Sequence, residues 1–279
     1  MRMATIAEQG IVGRKEERPD LLSGTPRAHS VDRWIYVFAA ASFVVIVLAG
    51  FIPSSIGKIA AVQAGERPPF PLLMHLHALL MGSFLLLLLA QTTLVAVGRC
   101  DLHRRLGLLS MVIAPALVVV GILLINYNFN LLWSALQSAP AGAERAQLQG
   151  ALEVTNNIKL LQLRIGILFP LFLVIALRAR GKDAGLHKRM MILATAMTLP
   201  AGIDRIPWLP ATMPVSPVSP DLYTLVAIAP MFVWDVVRNK SVHRAYWIWL
   251  GVNIPFAIAV HGLWGTAAWY AFVPKMMGV

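Results

Sequence analysis

The apolar positions of this chain gather into seven long runs separated by shorter charged, polar or proline-rich connections. The runs are roughly Trp34–Ile52, Leu72–Val97, Leu106–Ile125, Leu160–Leu177, Met190–Trp208, Leu222–Val237 and Tyr246–Phe272. Each is close to or above the ~17 residues that a helix needs to cross a bilayer, the sixth being the shortest. A spanning helix satisfies its own backbone hydrogen bonds, so the pattern predicts an all-α, polytopic membrane bundle of about seven transmembrane helices over residues 34–273. The segment before it, residues 1–33, has mixed charge and no apolar run. It reads as a poorly ordered cytoplasmic tail rather than a secretory signal, with Arg27 and Arg33 anchoring the first helix.

Charge orients the bundle. Arg99, Arg104 and Arg105 follow the second run, Arg178, Arg180, Lys182, Lys188 and Arg189 the fourth, and Arg238, Lys240 and Arg244 the sixth. The other three connections hold only Lys58, Arg67 and Arg145. Short basic loops stay in the cytoplasm, which places the N-terminus inside and the C-terminus outside. Among the outer connections, Asn126–Asn157 is the longest, with a short helix expected around Ala143–Glu153. Pro207, Pro210, Pro214, Pro217 and Pro220 form an extended crossing after run five.

Composition agrees. The 279 residues are 58% apolar and only 13% charged, about half the usual charged share, which excludes an ordinary cytosolic enzyme. One cysteine, Cys100, excludes an internal disulfide. The net charge of +11 would fit nucleic acid, but its distribution is already explained by topology, so the lipid bilayer is the expected partner and nucleic acid is not.

Three helices open with a related signature: Leu102-His103-Arg104-Arg105, Leu186-His187-Lys188-Arg189 and Val242-His243-Arg244. Topology puts His103, His187 and His243 at one depth near the inner interface. Two of them can meet across the bundle to ligate a metal or haem iron, or all three can serve as interfacial anchors. Asp235, close to His243 in sequence, can fix a histidine tautomer or pair with Arg238. Counting ~1.5 Å per residue puts Gln91 about 12 Å up the second helix from Arg99. In the outer third lie His75, His77, Lys159, Arg164, Asp204, Arg205 and His261. Polar groups at such depths face the bundle interior or a wet cavity. Asp204 has Arg164 or Lys159 as candidate partners, and Arg205 reaches the interface. His75 and His77 are two apart, so at most one of them faces the bundle centre.

These residues carry a resemblance. His75, His77 and Ala78, then Gln91, His103 to Gly107, His187 to Met190, and downstream Asp235 and His243 resemble the pattern of a broad set of uncharacterised bacterial multi-pass membrane proteins. That resemblance covers most of the chain and brings no activity with it, but implies the bacterial cytoplasmic (inner) membrane. A weaker resemblance is to the cytochrome b561 family, whose four-helix core holds haem b between paired histidines near each membrane face. It implies His103 and His187 as an inner haem pair and His75 or His77 as one outer ligand. The chain departs from that family at Asn156-Asn157-Ile158-Lys159, where no histidine supplies the second outer ligand and His261 would have to substitute.

Three functions follow. The first is a haem b protein moving electrons between quinol and another redox partner, with Arg104, Arg105, Lys188 and Arg189 as cations near the propionates. The second is an enzyme with an outer divalent metal on His77, His261 and Asp204, and Arg205 or Arg164 stabilising negative charge. The third is a non-enzymatic transporter, sensor or accessory subunit.

Overall fold

The computed structural model describes residues 20–23 and 28–279; Arg27 and the rest of the tail lie outside the described residues. The described residues form helices and no strand: α1 (Ser30–Gln63), α2 (Leu72–Ala96), α3 (Cys100–Leu106), α4 (Ser110–Ser138), α5 (Ala143–Ala179), α6 (Ala184–Ala196), α7 (Pro200–Ile203), α8 (Val218–Asn239), α9 (Arg244–Leu263) and α10 (Ala267–Met277). Among the described residues, six stretches are long and apolar enough to cross a membrane, namely α1, α2, Cys100–Ser138, α5, α8 and α9. Their outer faces carry large apolar side chains in the open, such as Leu72, Leu79, Val112 and Ile258. A surface of that kind is stable against lipid and not against water. This is the architecture of a multi-pass membrane bundle.

The fifth run departs from the expectation of a single span. Residues of the fifth run form the short α6 and then the one-turn α7, with a break at Met197–Leu199. Pro200 explains it, because proline has no N–H to give to the Ala196 carbonyl and its ring would clash there. The segment is nevertheless the hub of the bundle. Met190, Ile192, Leu193, Ala194 and Ala196 are buried, and α6 packs on α1, α5, α8 and α9. The Trp249 indole donates to the Leu193 carbonyl (3.1 Å), tying α9 to it.

The long connection expected at Asn126–Asn157 is almost entirely helix. α4 continues to Ser138 and α5 begins at Ala143, so only residues 139–142 turn between them. The sequence there is polar, and polarity suggested a loop. Its apolar residues Phe129, Leu136 and Leu152 instead form a second core with Leu160, Leu161, Val260, Trp269 and Val273. At ~1.5 Å per residue α5 is about 55 Å long, well beyond the ~30 Å hydrocarbon layer. The seventh run is also divided, at Trp264–Thr266, into α9 and α10.

The helices alternate in direction, so the basic connections 97–99, 180–183 and 240–243 gather at one end of the bundle together with the start of α1. Cross-links at this basic end run from Arg180 to the Arg104 carbonyl (3.0 Å), from Arg244 to Asp183 and from Arg238 to Asp32 (2.9 Å). At the far end the proline segment is tied down by Tyr223 donating to the Pro210 carbonyl (2.9 Å) and Trp264 to that of Pro214 (3.2 Å).

Candidate functional site

The basic end holds a cavity of about 510 Å³ whose wall includes Phe84, Leu88, Leu177 and Met191 and, among polar groups, Gln91, His103 and His187. Such a volume suits a medium-sized organic ligand. Helix α2 ends at Ala96 and, after the capping Val97, Gly98 at φ 80° reverses the chain with a backbone that only glycine adopts freely. The reversal lays α3 back beside α2, bringing His103 to Gln91. His187, on the first turns of α6, enters from the opposite wall.

The two imidazole rings lie with centroids 6.5 Å apart and planes at 77°. With metal–nitrogen bonds of about 2 Å, rings at this separation can face a shared ion. His187 Nδ1 sits 2.8 Å from the Ala176 carbonyl oxygen. A carbonyl only accepts, so Nδ1 carries the proton and Nε2 is left with a lone pair. Gln91 contacts His103 from the other side. With its amide oriented to satisfy every neighbour, the nitrogen donates to the His103 carbonyl (3.0 Å) and faces His103 Nδ1 at 2.5 Å, while the oxygen accepts from the Gly107 N–H (2.8 Å). Lys188 and Arg180 add positive charge to the same wall.

Beside the cavity lies a buried ion network. Arg189 is wholly buried and reaches Asp235 through Nε (2.5 Å) and Nη2 (2.8 Å), and Asp20 through Nη1 (2.8 Å) and Nη2 (3.0 Å). Tyr246 and Asn239 donate to Asp235 as well, at 2.9 and 2.7 Å. Gly185 makes room: a Cβ there would meet Asp20 Oδ2 at 2.7 Å and His243 Nε2 at 3.1 Å. Lys188 donates to the Leu22 carbonyl and to Ser23 Oγ, so residues 20–23 are clamped over the mouth of the cavity, which Leu22 and Ser23 help to line.

Burial works against the charge of Asp20, yet the hydrogen bonds and positive charge of Arg189 hold its carboxyl far below the usual carboxylate range. A depressed carboxylate contributes its stability in full above the unfolded value near pH 4 and loses it as pH falls toward the folded one. The thermal midpoint of the wild type should therefore exceed that of Asp20→Asn at pH 7. The gap should narrow steadily below about pH 4. A gap that stays constant down to pH 3 would contradict this assignment.

The remaining sequence candidates are placed as follows. His243 caps α9, its Nδ1 accepting from the Ala245 N–H (3.1 Å), and stands apart from the His103–His187 pair. Asp235 pairs with Arg189, while Arg238 belongs to Asp32, which also receives the Trp234 indole (2.9 Å). At the far end His75 is exposed and touches Phe70 edge-on, whereas His77 is half-buried against Gly121. Arg164, buried on α5, pairs with Asp221 (Nη1–Oδ2 3.1 Å), and His261 Nε2 lies 3.0 Å from the same carboxylate. The partner expected for Arg164 or Lys159, Asp204, instead lies half-buried next to Arg205, whose guanidinium stacks over Phe51 at 4.9 Å. The ammonium of Lys159 is 4.7 Å from the Phe129 ring centroid. Among the described residues no group of three or more His, Cys, Asp or Glu side chains is arranged to hold a metal ion, so His77, His261 and Asp204 are not gathered into one.

Several residues of these clusters escaped the sequence reading, Asp20, Asp32, Asp221, Asn239 and Tyr246 among them. Asp221 stands in the first turn of α8, where an acid is ordinarily a partner for the helix dipole. Asp20 belongs to a polar tail with no periodicity to mark it. Comparison with protein-family models, with curated proteins and with solved structures finds no match to this chain.

Proposed function

We propose that this chain is a haem b protein of the bacterial cytoplasmic membrane, passing electrons between quinol and a second redox partner, with the haem seated in the basic-end cavity between His187 and His103. On this reading the N-terminus and the basic end face the cytoplasm, as the distribution of Lys and Arg favours. The observation that carries the proposal is the pair of imidazoles from α3 and α6 facing one cavity at 6.5 Å, one of them with its Nε2 already bare.

The residues present fit the group. The carbonyl of Ala176 holds the His187 ring in the tautomer and orientation that a ligand needs, the role that second-layer hydrogen bonds play at metal-bound histidines. Phe84, Leu88, Leu177 and Met191 supply apolar walls for a flat macrocycle, and Lys188 and Arg180 offer cations to its carboxylates. When bound, haem supplies one-electron exchange at the iron. The protein's share is to orient the imidazoles, exclude water from the apolar walls and neutralise the propionates.

The test is an oxidised and a dithionite-reduced absorbance spectrum of detergent-purified protein expressed with ample haem. Sharp haem b bands that respond to reduction are expected. His187→Ala should lose them, and His243→Ala, whose ring caps α9, should keep them. A featureless wild-type spectrum would remove the proposal.

A further inference from the structure

Basic residues crowd one end of the bundle, and the connections at the far end hold only Lys58, Arg67 and Arg145. Two of those three meet a further cation, Arg205, at the end of α1. Gly65, at φ 74°, closes α1 with a left-handed turn in which the Gly65 and Glu66 N–H groups donate back to the Val62 (3.1 Å) and Ala61 (2.9 Å) carbonyls. The chain thus folds over the last turns of the helix and carries Arg67 with it. Phe51 and Lys58 are seven residues apart, hence on one face of α1 and about 10 Å from each other along its axis. That face also receives Arg205, because α7 crosses α1 at Gly50 and the Arg205 guanidinium stacks over Phe51. Lys58 accordingly stands in the electrostatic field of both Arg205 and Arg67.

Aromatic faces hold the two guanidiniums in place. That of Arg67 lies 5.1 Å from the Phe70 ring centroid, and His75 braces the same ring edge-on at 6.1 Å. Their donors are largely unmet. Arg67 Nε is buried and has no acceptor among the described residues, and Arg205 gives one N–H to the Ala201 carbonyl. The far-end ion pairs among the described residues join Asp221 to Arg164 and to His261, so none involves Lys58, Arg67 or Arg205. Asp204 lies in the field of Arg205 and Glu66 sits exposed beside Arg67, and neither closes an ion pair with them. Converging cations with spare forked donors suit an oxyanion. Ile52, Ile56 and Ile59 on α1 and Trp208 beyond α7 are exposed within two turns of these cations. That apolar surface accommodates acyl chains while a headgroup reaches the cations, which separates a lipid phosphate from a soluble one.

We propose that Lys58, Arg67 and Arg205 bind the phosphate of an anionic phospholipid in the leaflet at the far end of the bundle. The two guanidiniums donate to the phosphate oxygens and Lys58 adds a point charge from above. The bound headgroup links the end of α1 to the segment after α7, beside the close crossing of Gly50 and Gly202. The site is independent of what the basic-end cavity holds.

The experiment is native mass spectrometry of the delipidated full chain in non-ionic detergent, titrated with phosphatidylglycerol or with phosphatidylcholine. Wild type should hold a tight phosphatidylglycerol adduct that phosphatidylcholine does not match. Lys58→Gln and Arg67→Gln should each weaken it roughly fivefold, and Arg67→Gln combined with Arg205→Gln about twentyfold or more. Arg67→Lys, which keeps the charge, should lose less than Arg67→Gln. Lys58 is exposed, so Lys58→Gln folds as wild type does and its lipid-free thermal midpoint should be unchanged. Arg99→Gln with Lys182→Gln removes two exposed cations of the basic end and should leave the tight adduct intact. Equal affinity for the two lipids, or loss of the adduct in the basic-end variant but not in the far-end ones, overturns the proposal. So does displacement of the lipid by submillimolar inorganic phosphate, which would make the ligand a soluble oxyanion instead.

Discussion

Replacing Arg189 with leucine should be among the most destabilising single substitutions in this protein. The side chain is fully buried and stands between two carboxylates, Asp235, itself wholly buried, and Asp20 at the cavity mouth. Removing the guanidinium strands the Asp235 charge in a low-dielectric interior, and breaking a buried pair from one side typically costs about 3–5 kcal/mol. Lysine is no conservative replacement. One ammonium cannot reproduce the forked hydrogen bonds to both acids, so Arg189→Lys should fall between wild type and Arg189→Leu. The double variant Arg189→Met with Asp235→Leu removes both charges and should recover much of the loss, because replacing a buried pair with apolar groups is often near neutral. Thermal unfolding in detergent reads all four proteins. An Arg189→Leu midpoint indistinguishable from wild type would refute the buried pairing of Arg189 with Asp235.

Gly50→Ala should be comparably damaging for a purely steric reason. Helix α1 crosses α7 at Gly50, and a Cβ there would overlap the Gly202 carbonyl, placing its carbon only 2.9 Å away. Gly202 in turn leaves no room: its own Cβ would lie 3.2 Å from the Cα of Val47. Both obstacles are backbone, so no rotamer change relieves the clash, and the helices must separate at a cost of about 2–3 kcal/mol or more. Gly57, two turns further along the same helix, is the control. A Cβ there meets nothing, and alanine should stabilise α1 by up to about 1 kcal/mol through helix propensity alone. Equal midpoints for Gly50→Ala and Gly57→Ala would refute the close crossing. Small residues at such contacts are how helices approach one another in lipid, where apolar burial supplies no driving force.

The apolar runs told which segments are helical, because a chain with so few charges has no alternative to internal backbone hydrogen bonding in a bilayer. They misled wherever polarity and helicity part company. The polar stretch 126–157 is helical because its scattered apolar residues find a second core with α9 and α10, and those partners are more than a hundred residues distant in sequence. In the opposite sense, the fifth run is predominantly apolar, yet Pro200 splits it.

The candidate site divides in the same way. Residue type and equal depth sufficed to single out His103 and His187, since helix rise converts position into height; Gln91 stood out only as a polar group about 12 Å deeper in the second helix. Height says nothing about azimuth, and azimuth separates the His103–His187 pair from His243, which turned out to be a helix cap. Likewise Asp204 and Arg164 share a depth without sharing a contact, and Asp221 takes the place expected for Asp204.

By itself, then, the sequence determined composition, helicity, the alternation of basic connections and the chemistry of the groups held within the bundle. These depend on residue type and on local periodicity along one chain. The tertiary structure alone decided which of those groups meet: His187 with the Ala176 carbonyl, Arg189 with Asp20 and Asp235, Gly50 with Gly202. Such pairings follow from how helices rotate and cross when they pack, a property that emerges only when all the helices compete for the same interior.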